Sequence, residues 1–359
     1  MLKVTDLRCK YDDHTVVDGI SFSIEQGDIC CLLGPSGCGK TTALRALAGF
    51  QEISGGEISM QQKVVSKPGM TMPPEQRDIG MVFQDYALFP HLSVAANVQF
   101  GLKQKELSQQ KQIVDGLLAL VNLGDFRDRY PHEISGGQQQ RVALIRAMAT
   151  GPKLLLLDEP FSNLDAELKK RLSLEVRDIL KQYGISAILV THDQDEAFAF
   201  GDKIGVLDQG ILQQWDTPFN LYHQPANRFV ANFVGQGCVL PGMSIDRYNI
   251  ATELGTLTSD TPNEWPADTP LEILLRPDDI VLSKDNGIDA IVEKRVFSGS
   301  ATLYCFRLPT GSCVESLLPS HHNYQVGETV HIKANVEHLI AFSKISHNTK
   351  NSPQSEPLS

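Results

Sequence analysis

The sequence predicts an α/β protein with a mostly parallel sheet, followed by a smaller β-rich domain. Four short runs are almost wholly apolar, as expected for strands buried on both faces of a parallel sheet, and they span 29–33, 79–83, 154–157 and 186–191. Between about 88 and 150 the apolar residues recur at helical spacing. From about residue 237 apolar and polar residues alternate over short stretches, which is typical of a small antiparallel barrel or sandwich.

These patterns predict three segments in the 359-residue chain. The first domain is expected over residues 1–236 and contains the helical insertion at about 88–150. A β-rich domain is expected over 237–345, and the polar tail over 346–359 is expected to be disordered. With 42% hydrophobic residues, the chain is long enough for each domain to bury its own core.

Composition and charge argue against several classes of protein. The 32 basic and 43 acidic residues give a net charge of −11, which disfavours a nucleic-acid-binding surface. The seven cysteines include no CxxC pair, so we expect reduced thiols in a cytosol and neither a disulfide nor a zinc site. Charged residues at positions 3–10 and the lack of a long apolar run predict neither a signal peptide nor a membrane span.

The first apolar run leads into GPSGCGKT, from Gly34 to Thr41. This segment matches the GxxxxGK[ST] pattern, in which backbone N–H groups surround phosphate oxygens while the lysine adds a positive charge. Lys40 is expected to contact the β- and γ-phosphates of ATP, and the Thr41 hydroxyl to bind Mg²⁺. The residues expected to bind the nucleotide here are Gly34, Pro35, Ser36, Gly37, Cys38, Gly39, Lys40, Thr41 and Thr42.

The other three runs also end in polar residues, and ligands of parallel sheets bind beyond the carboxyl ends of the strands. Asp158 is expected to complete the Mg²⁺ shell with Thr41 and Gln84, and Glu159 to accept a proton from the attacking water. His192 could bond the γ-phosphate. We therefore predict catalytic roles for Lys40, Gln84, Glu159 and His192. The alternatives are a helix-start carboxylate for Glu159, a surface residue for Gln84 and an ordinary polar residue for His192.

Two further features suggest nucleotide contacts. Tyr11 could stack on adenine, although an ordinary core tyrosine is the alternative. In ISGGQ, residues 134–138, Ser135 is expected to cap a helix over 136–148, whose N-terminus favours an anion. Two glycines at a helix start weaken it by up to about 1 kcal/mol each, which is best explained if a ligand must approach the backbone. A simple turn is the alternative.

In chain order, GPSGCGKT, Gln84, ISGGQ, LLLLDEP, SNLD at 162–165 and His192 resemble the nucleotide-binding subunit of an ABC transporter. The resemblance covers about the first 235 residues, and Ile134 stands where leucine is usual in that family. It implies a P-loop ABC ATPase domain that pairs head to tail with a second copy. The ISGGQ segment of one copy would then cap the γ-phosphate bound by the other copy, through Ser135, Gly136, Gly137 and Gln138. The SNLD motif, with Asp165, would communicate between the two nucleotide sites.

The same resemblance suggests partners. YALFPH at 86–91 could form a groove for a short helix of a membrane subunit, with internal packing as the alternative for Phe89. The C-terminal strands, including RPDDI at 276–280, resemble the OB-like regulatory domain of importer ATPases. Between residues 237 and 346 there are 14 acidic and 8 basic residues, a poor match for a nucleic acid.

The sequence therefore predicts an ATPase subunit that energises a membrane importer. We expect a homodimer at the cytoplasmic face of the inner membrane, with permease subunits and a periplasmic or surface substrate-binding protein encoded separately. Overall similarity is closest to ferric-iron importers, with polyamine, sulfate and sugar importers next. A soluble ABC ATPase of translation or DNA maintenance is the main rival. A P-loop kinase or GTPase would leave ISGGQ and SNLD unexplained.

Overall fold

The computed structural model describes residues 1–162, 164–259, 262, 265–284 and 287–344. Asn163 of the SNLD motif and the predicted disordered tail at 346–359 lie outside the described residues. The chain forms two compact units that divide between Pro218 and Phe219. This division lies earlier than the boundary predicted after residue 236.

The first unit contains eleven strands and six α-helices among the described residues. Its elements are β1 (Leu2–Tyr11), β2 (His14–Ile24), β3 (Ile29–Leu33), α1 (Lys40–Ala48), β4 (Gly55–Met60), β5 (Lys63–Lys67), β6 (Met70–Thr71), β7 (Ile79–Val82), α2 (Val94–Gln99), α3 (Leu107–Leu120), α4 (Gly136–Met148), β8 (Leu154–Asp158), α5 (Ala166–Tyr183), β9 (Ser186–Thr191), α6 (Gln194–Phe200), β10 (Lys203–Asp208) and β11 (Ile211–Asp216).

The four predicted apolar strands lie side by side in one six-stranded sheet of order β11-β10-β3-β9-β8-β7. All neighbours pair in parallel except β10 and β11. Every residue of β3, β8 and β9 is buried, as their continuous apolar character predicts. Because the strands run parallel, the residues that follow β3, β9, β8 and β7 meet at one edge of the sheet.

A second sheet of order β2-β1-β4-β5-β6 is antiparallel and was not predicted from the sequence. Its inner residues join the core beneath α1; they include Leu2, Val4, Leu7, Cys9, Ile20 and Ile58. Helix α1, which begins with Lys40, packs between this sheet and the parallel one. The antiparallel sheet thus covers the helix that follows the phosphate loop.

The predicted helical insertion is present as α2, α3 and α4 with a core of its own. That core is formed by apolar side chains at helical spacing, including Val94, Val98, Val114, Leu118, Ile134, Val142 and Ile145. Helix α4 carries its own apolar face into this core and also packs on β7. It therefore joins the insertion to the parallel sheet.

The second unit is mainly antiparallel. Its elements are α7, which begins at the boundary (Pro218–His223), α8 (Arg228–Val234), β12 (Cys238–Ser244), β13 (Asn249–Thr252), β14 (Gly255–Thr258), β15 (Pro270–Leu275), β16 (Ile280–Leu282), β17 (Ile288–Phe297), β18 (Ala301–Arg307), β19 (Cys313–Pro319), β20 (Thr329–Ala334) and β21 (Ile340–Ser343). The strands form two five-stranded sheets of order β14-β13-β12-β15-β21 and β16-β20-β17-β18-β19.

Both sheets of the second unit bury one face in a shared core, whose largest fully buried side chains are Tyr304 and Phe306. The prediction of an α/β domain followed by a small β-rich, OB-like domain is confirmed. Helix α8 belongs to this unit, since Ala231 packs against Leu274 and Ile340. That contact explains why the division lies before residue 236.

None of the described helices combines the length and the apolar character needed to cross a bilayer.

Candidate functional site

The phosphate loop joins β3 to α1, and its glycines are required by geometry. Gly37 and Gly39 have positive φ values of 81° and 103°, in the region that favours glycine. A Cβ on Gly34 would lie 2.3 Å from the Leu207 carbonyl oxygen, and one on Gly39 would lie 2.7 Å from that of Val16. The loop is therefore pressed closely against its own domain, with its backbone fixed before α1 begins.

Lys40 reaches back over this loop. The side chain is 5% exposed, and its Nζ donates hydrogen bonds to the carbonyl oxygens of Gly34 at 2.8 Å and Pro35 at 2.9 Å. The Cys38 sulfur lies 3.8 Å from the same nitrogen. Burial raises the pKa of the Cys38 thiol, although Lys40 opposes this effect. A positive charge is thus held at the loop beside a neutral thiol.

Thr41, in the first turn of α1, contacts Asp158 at the end of β8. The Thr41 hydroxyl donates to Asp158 Oδ1 at 3.1 Å, where α1 begins and β8 ends. Asp158 is buried, and desolvation raises the pKa of its carboxyl group, with the Thr41 hydrogen bond and Arg45 opposing. A hydroxyl and a carboxylate oxygen at this distance are the donor types that Mg²⁺ prefers. The pair therefore fits the predicted magnesium site.

Glu159 and His192 also come together. Glu159 Oε2 lies 3.2 Å from His192 Nδ1, so the predicted base and the predicted histidine form one pair. Glu159 has a positive φ of 44°, which is uncommon for a residue with a side chain and costs on the order of 1 kcal/mol. Its backbone N–H donates to the Val190 carbonyl at 3.0 Å, which anchors the strained residue to β9.

A polar network that the sequence analysis missed flanks His192. Lys169 Nζ lies 2.7 Å from Asp193 Oδ2 and 3.4 Å from Glu196 Oε2. The Thr191 hydroxyl donates to Glu196 at 2.7 Å. The network fixes the residues on both sides of His192 and connects them to α5, which begins after SNLD. Each of these is a single polar or charged residue in the sequence, so no sequence motif predicted the network.

Arg77 is a second residue that the sequence analysis missed. It is buried, and its guanidinium donates to the carbonyl oxygens of Ala46 at 3.1 Å and Leu47 at 2.8 Å, in the last turn of α1. Burial lowers the pKa of Arg77 to about 10. A Cβ on Gly49 would lie 2.6 Å from this side chain. Arg77 thus fixes the far end of the helix that begins with Lys40.

Three other residues singled out in the sequence are exposed or half-buried. Gln84 lies two residues beyond β7 in a turn. Tyr11 ends β1 and is 44% exposed, so it is not the core tyrosine considered as the alternative. Phe89 is half-buried, and its ring centroid lies 4.4 Å from that of the exposed Phe100. The groove for a membrane subunit at YALFPH stays a prediction.

The ISGGQ segment begins α4 as predicted. Ser135 Oγ accepts from the Gln138 N–H at 3.4 Å, and the Ser135 N–H donates to Gln138 Oε1 at 2.8 Å, so the two residues form a capping box. A Cβ on Gly137 would lie 3.3 Å from Leu172, whereas one on Gly136 would meet nothing closer than 3.8 Å. Internal packing therefore explains Gly137, and the argument that only a ligand requires both glycines was wrong. It still applies to Gly136.

Asp165, predicted to contact nucleotide, caps α5 in this chain. Its carboxylate accepts a hydrogen bond from the Leu168 N–H at 3.0 Å. The nearby Ser162 hydroxyl donates to the Glu159 carbonyl at 2.9 Å. SNLD is thus joined through Ser162 directly to the strained residue of the site.

Two family models match the chain. The ABC transporter family matches residues 17–162, which include the phosphate loop, ISGGQ and Glu159. The TOBE domain matches residues 273–342 of the second unit.

Curated relatives cover nearly the whole length. The chain is 36% identical over 350 residues to an Fe(3+) ions import ATP-binding protein of Fusobacterium nucleatum, which covers 96% of this chain and 93% of the relative. It is 38% identical over 341 residues to the putrescine transport ATP-binding protein PotG of Escherichia coli, which covers 91% of this chain and 89% of the relative.

A solved structure agrees with the fold of the first unit. The dimer of an ATP-binding cassette in a post-hydrolysis state, bound to ADP and Pi, superposes with a TM-score of 0.54 at 26% identity. It covers 60% of this chain and 98% of that structure. Motif order, site geometry and full-length relatives agree, and the chain therefore belongs to the ABC transporter family of ATP-binding proteins.

Proposed function

We propose that this chain is the ATP-hydrolysing subunit of an importer, acts as a homodimer with Mg²⁺, and energises the uptake of Fe³⁺. The observation that carries the proposal is the set of side chains gathered at one edge of the parallel sheet. Lys40 lies in the phosphate loop, Thr41 meets Asp158, and Glu159 meets His192. These residues would supply a phosphate cradle, a magnesium site and a proton acceptor, which are the three parts that hydrolysis of a phosphoanhydride requires.

The chemistry follows from these contacts. When ATP binds, the Lys40 ammonium exchanges the carbonyl oxygens of Gly34 and Pro35 for β- and γ-phosphate oxygens. Thr41 and Asp158, with Gln84 as a further ligand, would hold Mg²⁺, which would neutralise charge on the phosphates. Glu159 accepts a proton from the attacking water, and His192 positions the Glu159 carboxylate and bonds the γ-phosphate.

The site is completed by a second copy. The first N–H groups of a helix have no partner within it, and the capping box of α4 occupies the N–H of Gln138. The groups at Gly136 and Gly137 can therefore face the γ-phosphate that the other copy holds on Lys40. A related cassette solved as a dimer with ADP and Pi supports this arrangement.

Dependence on concentration tests the shared site. Specific ATPase activity should rise as the purified chain is concentrated, because each site needs a helix end from its neighbour. A variant with Glu159→Gln provides the control for contaminating ATPases. A rate per chain that stays constant down to dilute, strictly monomeric protein would contradict the homodimeric site.

Iron is the proposed cargo because a full-length relative is named for Fe(3+) import. Putrescine is the second candidate, since a relative named for its transport is equally similar over almost the same length. We expect the subunit to lie at the cytoplasmic face of the membrane on permease subunits, with a separate substrate-binding protein outside.

Uptake assays distinguish the cargoes. Cells that lack this gene should lose energy-dependent uptake of radioactive Fe³⁺, and the wild-type gene should restore it, whereas the gene with Glu159→Gln should not. Loss of putrescine uptake with normal iron uptake would assign the second cargo. Co-purification of a membrane permease separates both from the rival reading of a soluble ABC ATPase.

A further inference from the structure

Two cysteines lie together on the outer face of the second unit's β16-β20-β17-β18-β19 sheet. Along β18 the buried residues are Thr302, Tyr304 and Phe306, so Cys305 points to the other face. Arg307 of β18 pairs with Cys313 of β19, two positions from the pair of Cys305 and Glu315. Cys305 and Cys313 are therefore diagonal neighbours on one face, and both are partly exposed.

A β-bulge adds a carboxylate to these thiols. The register between β17 and β18 shifts between Val292 and Lys294, so Glu293 is an extra residue in β17. Bulges redirect side chains and occur often near functional sites. Here the Glu293 carboxylate comes to the thiol face, where Cys313 Sγ donates to its Oε2 at 2.8 Å.

The spacing of these three groups suits a metal ion. The two sulfurs and a Glu293 oxygen all lie within 4.8 Å of one another. A tetrahedral Zn²⁺ with Zn–S of about 2.3 Å and Zn–O of about 2.1 Å separates its ligand atoms by roughly 3.5 to 3.8 Å. Small rotations of these surface side chains would therefore bring the three atoms onto one ion.

We propose that Glu293, Cys305 and Cys313 form a binding site for a thiophilic divalent cation of the Zn²⁺ type, with water at the fourth position. Binding releases the two thiol protons to solvent and leaves two thiolates and one carboxylate on the ion. Arg307 Nη2 lies 3.6 Å from Glu293 Oε1 and orients the carboxylate from the other side. The site does not depend on the proposed transport function.

No zinc site was expected from the sequence because its cysteines form no CxxC pair. Here the ligands lie on three strands and are separated by 12 and 8 positions. Pairing of β17, β18 and β19 brings them together. An ion at this position would join the three strands, so its binding should stabilise the folded second unit by mass action.

The test uses the full chain, reduced and stripped of metal, titrated with Zn²⁺ against a chromophoric chelator. We expect one tightly bound Zn²⁺ per chain and a higher melting temperature on saturation. Cys305→Ser and Cys313→Ser should each weaken the affinity at least about 100-fold, because loss of even an outer partner costs 10- to 100-fold. Glu293→Gln, at an exposed position that should not disturb folding, should weaken it at least about tenfold.

Cys238→Ser is the control for a neighbouring thiol outside the three ligands, because Cys238 is partly exposed and lies near Cys305. It should retain one Zn²⁺ with nearly unchanged affinity. The proposal is overturned if the three ligand variants bind Zn²⁺ as tightly as wild type. It is also overturned if Cys238→Ser alone removes binding, or if Fe²⁺ under anaerobic conditions binds more tightly than Zn²⁺, against the usual order for such ligands.

Discussion

Two glycine-rich turns begin helices in the first unit, and they are built differently. Within the described residues, no side chain caps α1, whose N-cap Gly39 has a φ of 103°. The turn before α4 is closed by the capping box of Ser135 and Gln138. No side chain thus occupies the first N–H groups of α1, whereas in ISGGQ the capping box occupies one N–H group, that of Gln138.

The difference shows what each motif requires. The phosphate loop gathers Lys40 and Thr41 with Asp158 inside one chain, so the groups that fit the proposed phosphate and metal site are present without a second copy. In ISGGQ the capping box and the packing of Gly137 are explained within the chain, and the open position of Gly136 has no packing explanation. A second copy of the chain would supply one.

The largest effect should come from Glu159→Gln, which leaves both glycine-rich turns intact and removes the proposed proton acceptor. Turnover should fall on the order of 10² to 10⁴ while ATP still binds. Because hydrolysis is blocked, ATP should hold the variant as a dimer in size-exclusion chromatography. Glu167→Gln is the control, because it makes the same change from carboxylate to amide at an exposed position in the first turn of α5, and it should keep normal turnover. Normal turnover in Glu159→Gln would remove this residue from the role.

Ser135→Ala tests whether the second turn does more than cap a helix. Its matched control is Ser93→Ala, because Ser93 caps α2 in the same way by accepting from the Ala96 N–H at 3.3 Å. Each change should lower the free energy of unfolding by about 1 kcal/mol through the lost cap. Only Ser135→Ala should also lower turnover, by about tenfold or more, since a single donor to developing charge is worth up to about 10³.

Denaturant unfolding and steady-state ATPase assays measure the two effects separately. Equal ATPase rates in the two serine variants would reduce ISGGQ to a structural cap and would leave the shared site without its second half.

The two glycines of α4 should respond differently to alanine. Gly136→Ala has room for its Cβ and should leave the melting temperature unchanged or slightly higher, since alanine favours a helix by up to about 1 kcal/mol. Gly137→Ala must displace Leu172 or Leu168 and should melt lower than Gly136→Ala. If a phosphate approaches the backbone, Gly136→Ala should nevertheless lose several-fold in ATPase. Wild-type activity in that variant would contradict the approach.

The parallel sheet could be predicted because each of its strands is apolar throughout, whereas the antiparallel sheet could not. In β1 the apolar residues stand at 2, 4, 7 and 9, and their alternation is interrupted where the register with β2 shifts between Val4 and Leu7. Asp6 within this bulge has a φ of 48°. A period of two that breaks after two repeats carries little signal in a sequence.

The candidate site was likewise only partly predictable from the sequence. Residue types at strand ends predicted which side chains gather at the candidate site, because parallel strands bring their carboxyl ends to one edge. Contacts such as Glu159 with His192, or Lys169 with Asp193, depend on how strands and helices are placed next to each other. The same is true of Glu293 with Cys313 in the second unit, where a bulge decides which face the carboxylate takes.

The smallest effect should come from Ile134→Leu, which restores the leucine usual in the family. Ile134 is 8% exposed and packs in the core of the helical insertion with Val142 and Ile145, directly before the Ser135 cap. Exchanges of equal volume usually change stability by less than about 1.5 kcal/mol, and the side chain is buried in the core of the helical insertion. Turnover and its dependence on concentration should therefore stay within about twofold of wild type, measured beside Ser135→Ala. A large gain in turnover would instead mean that residue 134 influences how the turn contacts the second copy. The functional part of ISGGQ would then begin at Ile134 rather than at Ser135.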